Sequence, residues 1–382
     1  MKVAVTTLVS SVAALLALGM VMLYSSSMAQ VGARYLTMQL AWCALGLGAC
    51  LVTALLNYRQ LKKIWWLPLL IALVLLALVL DTHFGTRING ARRWFRLWGL
   101  SFQPSEFAKI ALLIALAWHG DFYRRQVSRW KRGILVPGAL IGLTVGLIFL
   151  EPDVGNAMVL AAVSGMVLLI SGIPLRYFLL PALIAALGVG LFIYYNPMRS
   201  GRIYSWLHLE ETRRDTGLQA YQSMVALGSG GLTGKGLGDG RQKLGFVPEH
   251  HTDFIFSIIG EELGLMVTLA VVAAFVAIIF SGAHIARNAG DIFGMLLASG
   301  ITFLIGLQAF INIGVVTSAL PNKGLPLPFI SYGGSSLVIM LGCVGLLLSI
   351  ARQAGEPDSA MRGGLITNDS ANPFARGNQP EP

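Results

Sequence analysis

Residues 248–281 read PEHHTDFIFSIIGEELGLMVTLAVVAAFVAIIFS, and this stretch decides the fold of the chain. It begins with imidazoles and carboxylates, and from Phe254 onward it is almost continuously apolar over more than the roughly 20 residues that a helix needs to cross a bilayer. Because hydrocarbon offers no water to unpaired backbone groups, such a segment has to be helical. The stretch therefore predicts a membrane helix with an ionisable carboxyl, Asp253, at the bilayer edge.

The whole chain has the composition of an integral membrane protein. Hydrophobic residues make up 55% of its 382 residues and charged residues 12%, whereas a soluble domain carries about a quarter charged residues. The predicted fold class is an all-α polytopic membrane protein of ten transmembrane helices, with a large outer loop between helices 7 and 8. The predicted spans lie near 4–24, 36–57, 64–80, 105–120, 133–150, 155–172, 174–195, 254–281, 291–317 and 335–352.

Two parts of different composition divide the chain. Residues 1–353 are expected to form one membrane domain, whereas 354–382 are polar and rich in Gly, Pro, Asn and Ser, which predicts a disordered cytoplasmic tail. The first apolar run is longer than the core of a signal peptide, so we expect it to be retained. Cys43, Cys50 and Cys343 lie inside apolar spans without metal-ligand spacing, which indicates a packing role.

Basic residues orient the chain in the membrane. The short segments at 57–63 and 124–132 are rich in Lys and Arg, and the positive-inside rule makes them cytoplasmic. With ten spans, both termini are then cytoplasmic. The loops at 81–104, 196–253 and 318–334 accordingly fall on the outer face.

Loop 81–104 conflicts with that rule, because it is short and basic yet assigned to the outside. Its arginines are Arg87, Arg92, Arg93 and Arg96. Either a helix has been miscounted, or these arginines meet an anion there. Arginine suits a diphosphate because its planar fork donates two hydrogen bonds at once. Trp94 and Trp98 are typical of side chains that anchor a loop at the membrane interface.

Three ionisable residues stand at the outer ends of other spans. Glu106 and Lys109 are three residues apart and therefore share one face of the fourth span. A carboxylate in the first turn suits the helix dipole, so a structural cap explains Glu106 as well as function does. Lys109 needs a carboxylate partner or an anionic ligand, because a cation one turn into a span is costly. Asp153 fits an N-cap of the sixth span equally well.

Asp253 also admits two interpretations. Aspartate is a favoured N-cap, but Asp253 adjoins His250 and His251, borders the largest outer loop and lies on the same membrane face as Lys109. A metal site of the two histidines and Asp253 is disfavoured, because adjacent histidines rarely point the same way. Glu261 and Glu262 follow two turns later in apolar surroundings, so at least one of them is expected to face the interior of the bundle.

Two irregular segments complete the outer face. Residues 228–240 are glycine-rich but lack the Ser or Thr that follows the lysine of a P-loop, which favours a flexible loop that moves around a substrate. Residues 320–336 contain three prolines and three glycines, which exclude a regular helix. Irregular backbone at membrane depth is tolerated where it lines a cavity, so Lys323 and Ser331 are expected to line one.

All of these groups collect on the outer face. A transporter instead places charged groups or broken helices near the bilayer midplane. The pattern therefore favours an outward-facing site for a lipid-anchored, anionic substrate.

Several motifs, in order along residues 10–352, resemble the SEDS family of shape, elongation, division and sporulation proteins. They are Asn89-Gly90-Ala91-Arg92-Arg93-Trp94, Gln103-Pro104-Ser105-Glu106-Phe107-Ala108-Lys109, Pro152-Asp153-Val154-Gly155, His251-Thr252-Asp253-Phe254-Ile255-Phe256, Glu261-Glu262-Leu263-Gly264, and Leu327-Pro328-Phe329-Ile330-Ser331-Tyr332-Gly333-Gly334-Ser335-Ser336. The runs at 242–244, 258–260 and 323–324 are more similar to the division branch of the family than to its elongation branch.

The resemblance implies a ten-helix peptidoglycan glycosyltransferase that polymerises lipid II on the outer face of the cytoplasmic membrane. It also implies a class B penicillin-binding protein as the crosslinking partner, together with other divisome proteins. It maps the catalytic aspartate onto Asp253, as general base, and the paired lysine onto Lys109. Arg92, Arg93 or a divalent cation (Mg or Mn) would neutralise the departing diphosphate.

The residues expected to bind substrate are Arg92, Arg93, Trp94, Glu106, Asp153, His251, Glu261, Lys323 and Ser331. Glu151, Asn156 and Asn322 stand where the family usually has Gln, Thr, and Val or Thr, and none of them is a mapped catalytic group. Two other functions remain open at this point. One is a lipid II flippase, and the other is a non-catalytic scaffold for the crosslinking partner.

Overall fold

The computed structural model describes residues 1–27, 32, 34–81, 85–88, 91–97, 100–126, 131–242 and 252–354. Several features named from the sequence lie outside the described residues, namely Asn89-Gly90, Trp98, Lys243-Leu244, the His250–His251 pair and the tail from residue 355 onward. The described chain is mainly helical.

The helices run in chain order as α1 (Lys2–Ser27), α2 (Arg34–Leu55), α3 (Tyr58–Lys63), α4 (Trp66–Leu80), α5 (Pro104–Phe122), α6 (Val136–Leu150), α7 (Val154–Ile170), α8 (Arg176–Tyr194), α9 (Pro197–Leu207), α10 (Leu218–Gly230), α11 (Ile255–Arg287), α12 (Ile292–Val316) and α13 (Gly334–Gln353). All except α3, α9 and α10 coincide with predicted spans. Within the described residues, seven helices are long and apolar enough to cross a membrane, and α4 and α7 are shorter apolar helices. The polytopic all-α class is confirmed, and the number of ten crossings stays a prediction.

Local sequence signals set the helix boundaries near the outer polar residues. Pro104 occupies the start of α5, where its missing N–H costs nothing. Asp153 caps α7 by accepting a hydrogen bond from the backbone nitrogen of Asn156 at 3.2 Å. Both helices therefore begin at fixed positions on the same end of the bundle, and this places Glu106 and Lys109 beside the α7 cap.

A small antiparallel sheet forms in loop 81–104, for which the sequence predicted no strand. Its strands are β1 (Thr86–Ile88), β2 (Ala91–Leu97) and β3 (Leu100–Phe102), in the order β1-β2-β3. Ile88 pairs with Ala91, and the two residues between them in sequence are Asn89-Gly90, a strong signal for a two-residue hairpin. The signal was present in the sequence, and the sheet fixes which way each arginine of β2 points.

The core lies where α5, α12 and α13 meet, since these helices are the most completely buried. Glycines allow several helices to approach one another closely. A Cβ atom at Gly345 of α13 would overlap the carbonyl of Cys50 in α2, and a Cβ at Gly334 would overlap the Trp42 ring. Such small-residue contacts replace the hydrophobic driving force, which is weak between helices in lipid. By contrast, α8 has no buried residue.

Helix α11 is interrupted at Gly264, whose φ of 76° and ψ of −174° are not helical. The glycine-rich segment 231–242 fills the break. The backbone nitrogens of Lys235 and Gly236 donate to the carbonyls of Glu261 and Glu262 at 3.0 Å each, and the nitrogen of Leu265 donates to Gly231 O at 2.9 Å. The predicted flexible loop is thus a strap that satisfies the backbone groups freed by the break, as an interrupted membrane helix requires.

Candidate active site

The turn that carries Asp253 is held by two polar side chains from distant parts of the sequence. The Asn312 amide nitrogen donates to the carbonyl oxygens of Asp253 and Leu325 at 2.8 and 2.7 Å. The Ser331 hydroxyl donates to the carbonyl of Thr252 at 2.6 Å and accepts from the Leu327 nitrogen at 2.8 Å. The turn and the loop before α13 therefore form one hydrogen-bonded unit.

The side chain of Asp253 is half-buried and lies against that loop. Phe254 is the N-cap residue of α11, and it makes no side-chain capping hydrogen bond. The Asp253 Oδ2 atom lies so near Gly324 that a Cβ there would be 2.5 Å away. The Asp253 carboxylate therefore reaches this loop, and a capping role of Asp253 stays a second interpretation.

Lys109 is completely buried and belongs to a network of polar side chains. Its Nζ atom donates to Glu106 Oε1 at 2.8 Å and to Asn156 Oδ1 at 3.2 Å. The Asn156 amide in turn donates to Asp153 Oδ2 at 2.8 Å, and the Gln103 amide donates to the same oxygen at 3.1 Å. Lys109 thus has the carboxylate partner that a buried cation requires.

The network and the Asp253 turn are neighbours. A Cβ atom built on Gly155 of α7 would lie 3.5 Å from the Leu325 side chain. Leu325 directly follows Gly324, the glycine that lies against Asp253. Among the described residues, the hydrogen-bond partners of Lys109 are Glu106 and Asn156. A direct pairing of Lys109 with Asp253 therefore stays a prediction.

The sheet separates the arginines that the sequence placed together. Successive side chains of a strand point to opposite faces, so Arg92 and Trp94 share one face and Arg93 the other. Arg93 reaches the turn between α6 and α7, where its Nε donates to Glu151 O at 3.1 Å and its Nη2 donates to Pro152 O at 2.7 Å. Its Nη1 lies 3.9 Å from Asp153. Arg92 and Trp94 are half-buried on the other face.

Glu151, in the same turn, was not expected to contribute. Its side chain is buried, and neither carboxylate oxygen has a hydrogen-bond partner among the described residues. Burial, and then the nearby charge of Asp153, raise the pKa of Glu151 to about 9, against the opposing effect of Arg93. The group is therefore neutral at pH 7, which makes it a near substitute for the Gln that is usual in the resembled family.

Lys323 and Arg199 lie beside this turn. Lys323 Nζ contacts the Met158 sulfur at 2.7 Å. Arg199 of α9 donates from Nη2 to Pro152 O at 3.2 Å and stacks on the Phe192 ring, 4.4 Å from its centroid. Arg199 was not predicted from the sequence as a site residue. The feature that could have indicated it is a basic residue on a short helix with a polar face.

Glu261, which was expected to bind substrate, holds the strap. Its carboxylate accepts from Lys235 Nζ at 2.8 Å and from the backbone nitrogens of Arg241 and Gln242 at 3.0 and 3.1 Å. Glu262 similarly accepts from Ser25 at 2.6 Å. A substrate contact of Glu261 stays a prediction, and so does that of His251, which lies outside the described residues.

Among the residues that the structure describes, no three His, Cys, Asp or Glu side chains are grouped so as to hold a metal ion. Mg²⁺ is commonly bound by one or two carboxylates together with substrate phosphates. A divalent cation here would accordingly rely on Asp253 and on oxygens of the substrate.

The fold and this cluster define a polytopic membrane protein with an ionisable site at one end of its helix bundle. The chain belongs to the cell cycle protein family of FtsW, RodA and SpoVE, which matches residues 6–356. The resemblance seen in the sequence is thereby confirmed.

Individual relatives agree with this assignment. The chain is 41% identical over 347 residues to the "Probable peptidoglycan glycosyltransferase FtsW" of Trichlorobacter lovleyi. The alignment covers 89% of this chain and 91% of the relative. It is 40% identical over 353 residues to the protein of the same name from Geobacter metallireducens, and the alignment covers 90% of this chain and 94% of that relative. These names also agree with the division branch.

Two solved structures share the fold. One is a chain from a study described as "Structural coordination of polymerization and crosslinking by a peptidoglycan synthase complex", with a TM-score of 0.77, 31% identity, and coverage of 91% of this chain and 98% of that one. The other is the rod shape determining protein RodA of Thermus thermophilus, with a TM-score of 0.70 and 30% identity. The match covers 91% of this chain and 97% of that one.

Proposed function

We propose that this chain polymerises lipid II, the undecaprenyl-diphosphate-linked disaccharide-peptide, into glycan strands for septal wall synthesis. Its class is peptidoglycan glycosyltransferase, as its family and its relatives' names indicate. The observation that carries the proposal is the half-buried Asp253 carboxylate, held on a fixed turn beside a buried network of ionisable groups. In the proposed orientation this site lies on the outer face of the cytoplasmic membrane, with both termini in the cytoplasm.

Asp253 is the proposed general base. The donor sugar of lipid II is α-linked to diphosphate and the glycan is β-linked, so the displacement inverts the anomeric carbon. Asp253 takes the proton of the acceptor 4-hydroxyl as that oxygen attacks, and the diphosphate leaves. A positioned base contributes roughly 10²- to 10⁴-fold to the rate. The hydrogen bonds of Asn312 and Ser331 fix the backbone from which the carboxylate projects.

Lys109 is the proposed partner of that base. It lies in the network that reaches the Asp253 turn through Gly155 and Leu325. Its charge favours the ionised form of a nearby carboxylate and so keeps the base competent. In this proposal Glu106 and Asn156 position the ammonium, and Asp153 fixes Asn156.

The departing diphosphate requires positive charge. Arg93, whose guanidinium lies at the turn before α7, is suitably placed among the described residues, and Arg92 and Trp94 border the other side of β2. When a divalent cation is bound, it would supply Lewis-acid stabilisation of the same charge. Arginine suits this role, because a guanidinium group can donate two hydrogen bonds to phosphate oxygens at once.

A crosslinking partner accompanies this activity in our proposal. A solved chain of similar fold comes from a complex that coordinates polymerization and crosslinking, and a class B penicillin-binding protein is the partner proposed here, together with other divisome proteins. A partner that crosslinks strands as they emerge would explain an active site on the outer side of the membrane.

The test is polymerisation of purified lipid II by the full-length chain in detergent, with and without a class B partner and with and without a chelator. Asp253→Asn should abolish polymer while the protein stays folded, and Asp215→Asn, an exposed carboxylate in the same outer segment, should retain activity. Polymer made at wild-type rate by Asp253→Asn would refute the assignment of the base. Because detergent leaves no compartment to cross, polymer formation also excludes a pure flippase or scaffold.

A further inference from the structure

A group of cations from three separate elements surrounds the turn between α6 and α7. Arg93 comes from β2, Arg199 from α9, and Lys323 from the loop before α13. The Nη2 atoms of Arg93 and Arg199 both donate to the carbonyl oxygen of Pro152, at 2.7 and 3.2 Å. Two guanidinium groups therefore converge on one backbone atom, although like charges repel.

Lys323 is the least satisfied member of this group. It is half-buried, and its hydrogen-bond partner among the described residues is the Met158 sulfur at 2.7 Å, which is a weak acceptor. Burial and then the charge of Arg199 lower the pKa of Lys323. The ammonium is thus partly removed from water, and within the described part of the chain no carboxylate replaces the lost hydration.

Arg199 is in a similar situation. Burial, Arg202 and Arg93 lower its pKa, and Asp153 opposes them. A guanidinium group has five N–H donors, and Arg199 directs one hydrogen bond to Pro152 O. The Phe192 ring, 4.4 Å below, fixes the plane of the group. Several oriented donors are therefore available to a ligand.

The carboxyl groups of the turn do not balance this charge. Asp153, 3.9 Å from Arg93, supplies one negative charge against the three cations. The raised pKa of Glu151, about 9, keeps that residue neutral at pH 7. Half-buried positive charge without a matching carboxylate is costly, and an anionic ligand would relieve that cost.

We propose that Arg93, Arg199 and Lys323 together bind the diphosphate of the polyprenyl-linked substrate, and that Arg199 is a diphosphate-binding residue. This rests on the proposed function for the identity of the substrate. A diphosphate has enough oxygens to accept from the remaining N–H donors of both guanidinium groups and from an ammonium at once. Helix α8, which ends next to Arg199 and has no buried residue, presents an apolar surface along which the polyprenyl chain enters lipid.

The test measures binding rather than turnover. Farnesyl diphosphate, a short polyprenyl diphosphate without sugar, is titrated against the full-length protein in detergent, with farnesyl monophosphate as the comparison ligand. Arg199→Ala should weaken diphosphate binding about tenfold or more, since a hydrogen bond to a charged group is worth about 1.5–3 kcal/mol. Arg199→Lys should fall between Arg199→Ala and wild type, because it keeps the charge and loses the fork.

The matched control is Arg213→Ala, which removes an exposed cation of the same outer segment that pairs with Glu210 at 3.8 Å. Its diphosphate affinity should stay within about twofold of wild type. The inference fails if Arg199→Ala and Arg199→Lys bind farnesyl diphosphate as wild type does, or if wild type binds the monophosphate equally well. Loss of binding in Arg213→Ala equal to that in Arg199→Ala would likewise overturn it.

Asp253→Asn separates this inference from the proposed function. It should bind farnesyl diphosphate normally and make no polymer. If Asp253→Asn polymerises lipid II, the proposed base is wrong while the diphosphate site stands. If Arg199→Ala binds normally, the diphosphate site is wrong while polymerisation stands. In either arm, the melting temperature of each variant shows that the comparison is made between folded proteins.

Discussion

The carboxylate of Asp253 occupies the space that a side chain at position 324 would need. A Cβ atom built on Gly324 would stand 2.5 Å from Asp253 Oδ2. The position of the proposed base is therefore set by a loop 71 residues away in sequence as much as by the helix that follows it. Any side chain at Gly324 has to displace either the loop or the carboxylate.

Gly324→Ala should lower the rate of lipid II polymerisation by about tenfold to a hundredfold, because a misplacement of about 1 Å has effects of that size. Initial rates in detergent measure it, and the melting temperature reports the fold. Gly188→Ala is the matched control, since a Cβ there meets nothing within 4 Å and alanine favours a helix. Equal activity of the two variants would contradict the close approach of Gly324 to Asp253.

Lys109→Met should destabilise the protein by about 3–5 kcal/mol, because it leaves Glu106 as a buried charge without its partner. Adding Glu106→Gln should restore much of that stability, since the double variant buries no charge. Thermal unfolding in detergent measures both effects. If Lys109 acts on the catalytic base, the double variant regains stability and stays inactive. Recovery of polymerisation together with stability would show that Lys109 is purely structural.

Glu151→Gln should change how stability depends on pH. In the folded chain the pKa of Glu151 is about 9, against an ordinary value of 4.5, so folding takes up a proton between these two pH values. Wild type therefore loses stability as pH rises through this window. Glu151→Gln should melt at a similar temperature near pH 4.5 and at an increasingly higher one toward pH 9. The melting temperature of the exposed variant Glu210→Gln should follow that of wild type at every pH. Parallel curves of melting temperature against pH for all three proteins would refute the raised pKa of Glu151.

Gly234→Ala should be more harmful than Gly238→Ala, although both residues have positive φ, of 83° and 92°. The left-handed conformation costs a non-glycine residue about 1–2 kcal/mol at either position. At Gly234 the new Cβ would also overlap the carbonyl of Glu262, whereas at Gly238 it meets nothing within 4 Å. Trypsin cleavage at Lys235 and Arg241, followed over time, should accelerate most in Gly234→Ala. Similar rates in both variants would exclude a tightly seated strap.

The sequence predicted the helical architecture because hydropathy acts locally. A run of about 20 apolar residues must satisfy its own backbone in lipid, whatever its neighbours do. For this reason the segments at 254–281, 291–317 and 335–352 coincide with α11, α12 and α13. The sheet of loop 81–104 was missed even though Asn89-Gly90 marks a hairpin, because its short strands carry arginines and no regular apolar alternation.

The residues that hold the site in place were harder to predict. Asn312 lies in the apolar helix α12 and was passed over, yet its amide joins the Asp253 turn to Leu325. Ser331 was expected to meet substrate, and its hydroxyl donates to Thr252. Both contacts join residues far apart in the sequence, which local patterns do not encode.

The sequence by itself determined that this chain crosses the membrane and that it belongs to a family of peptidoglycan glycosyltransferases. It also predicted that the candidate site residues gather on one face of the membrane. Tertiary structure alone decided which of those residues meet. It paired Lys109 with Glu106, turned Arg93 away from Arg92, and brought Arg199 to the Pro152 carbonyl. The physical reason is that helix formation in lipid depends on each segment's own hydropathy, whereas pairing of charges depends on distances of a few ångströms between segments.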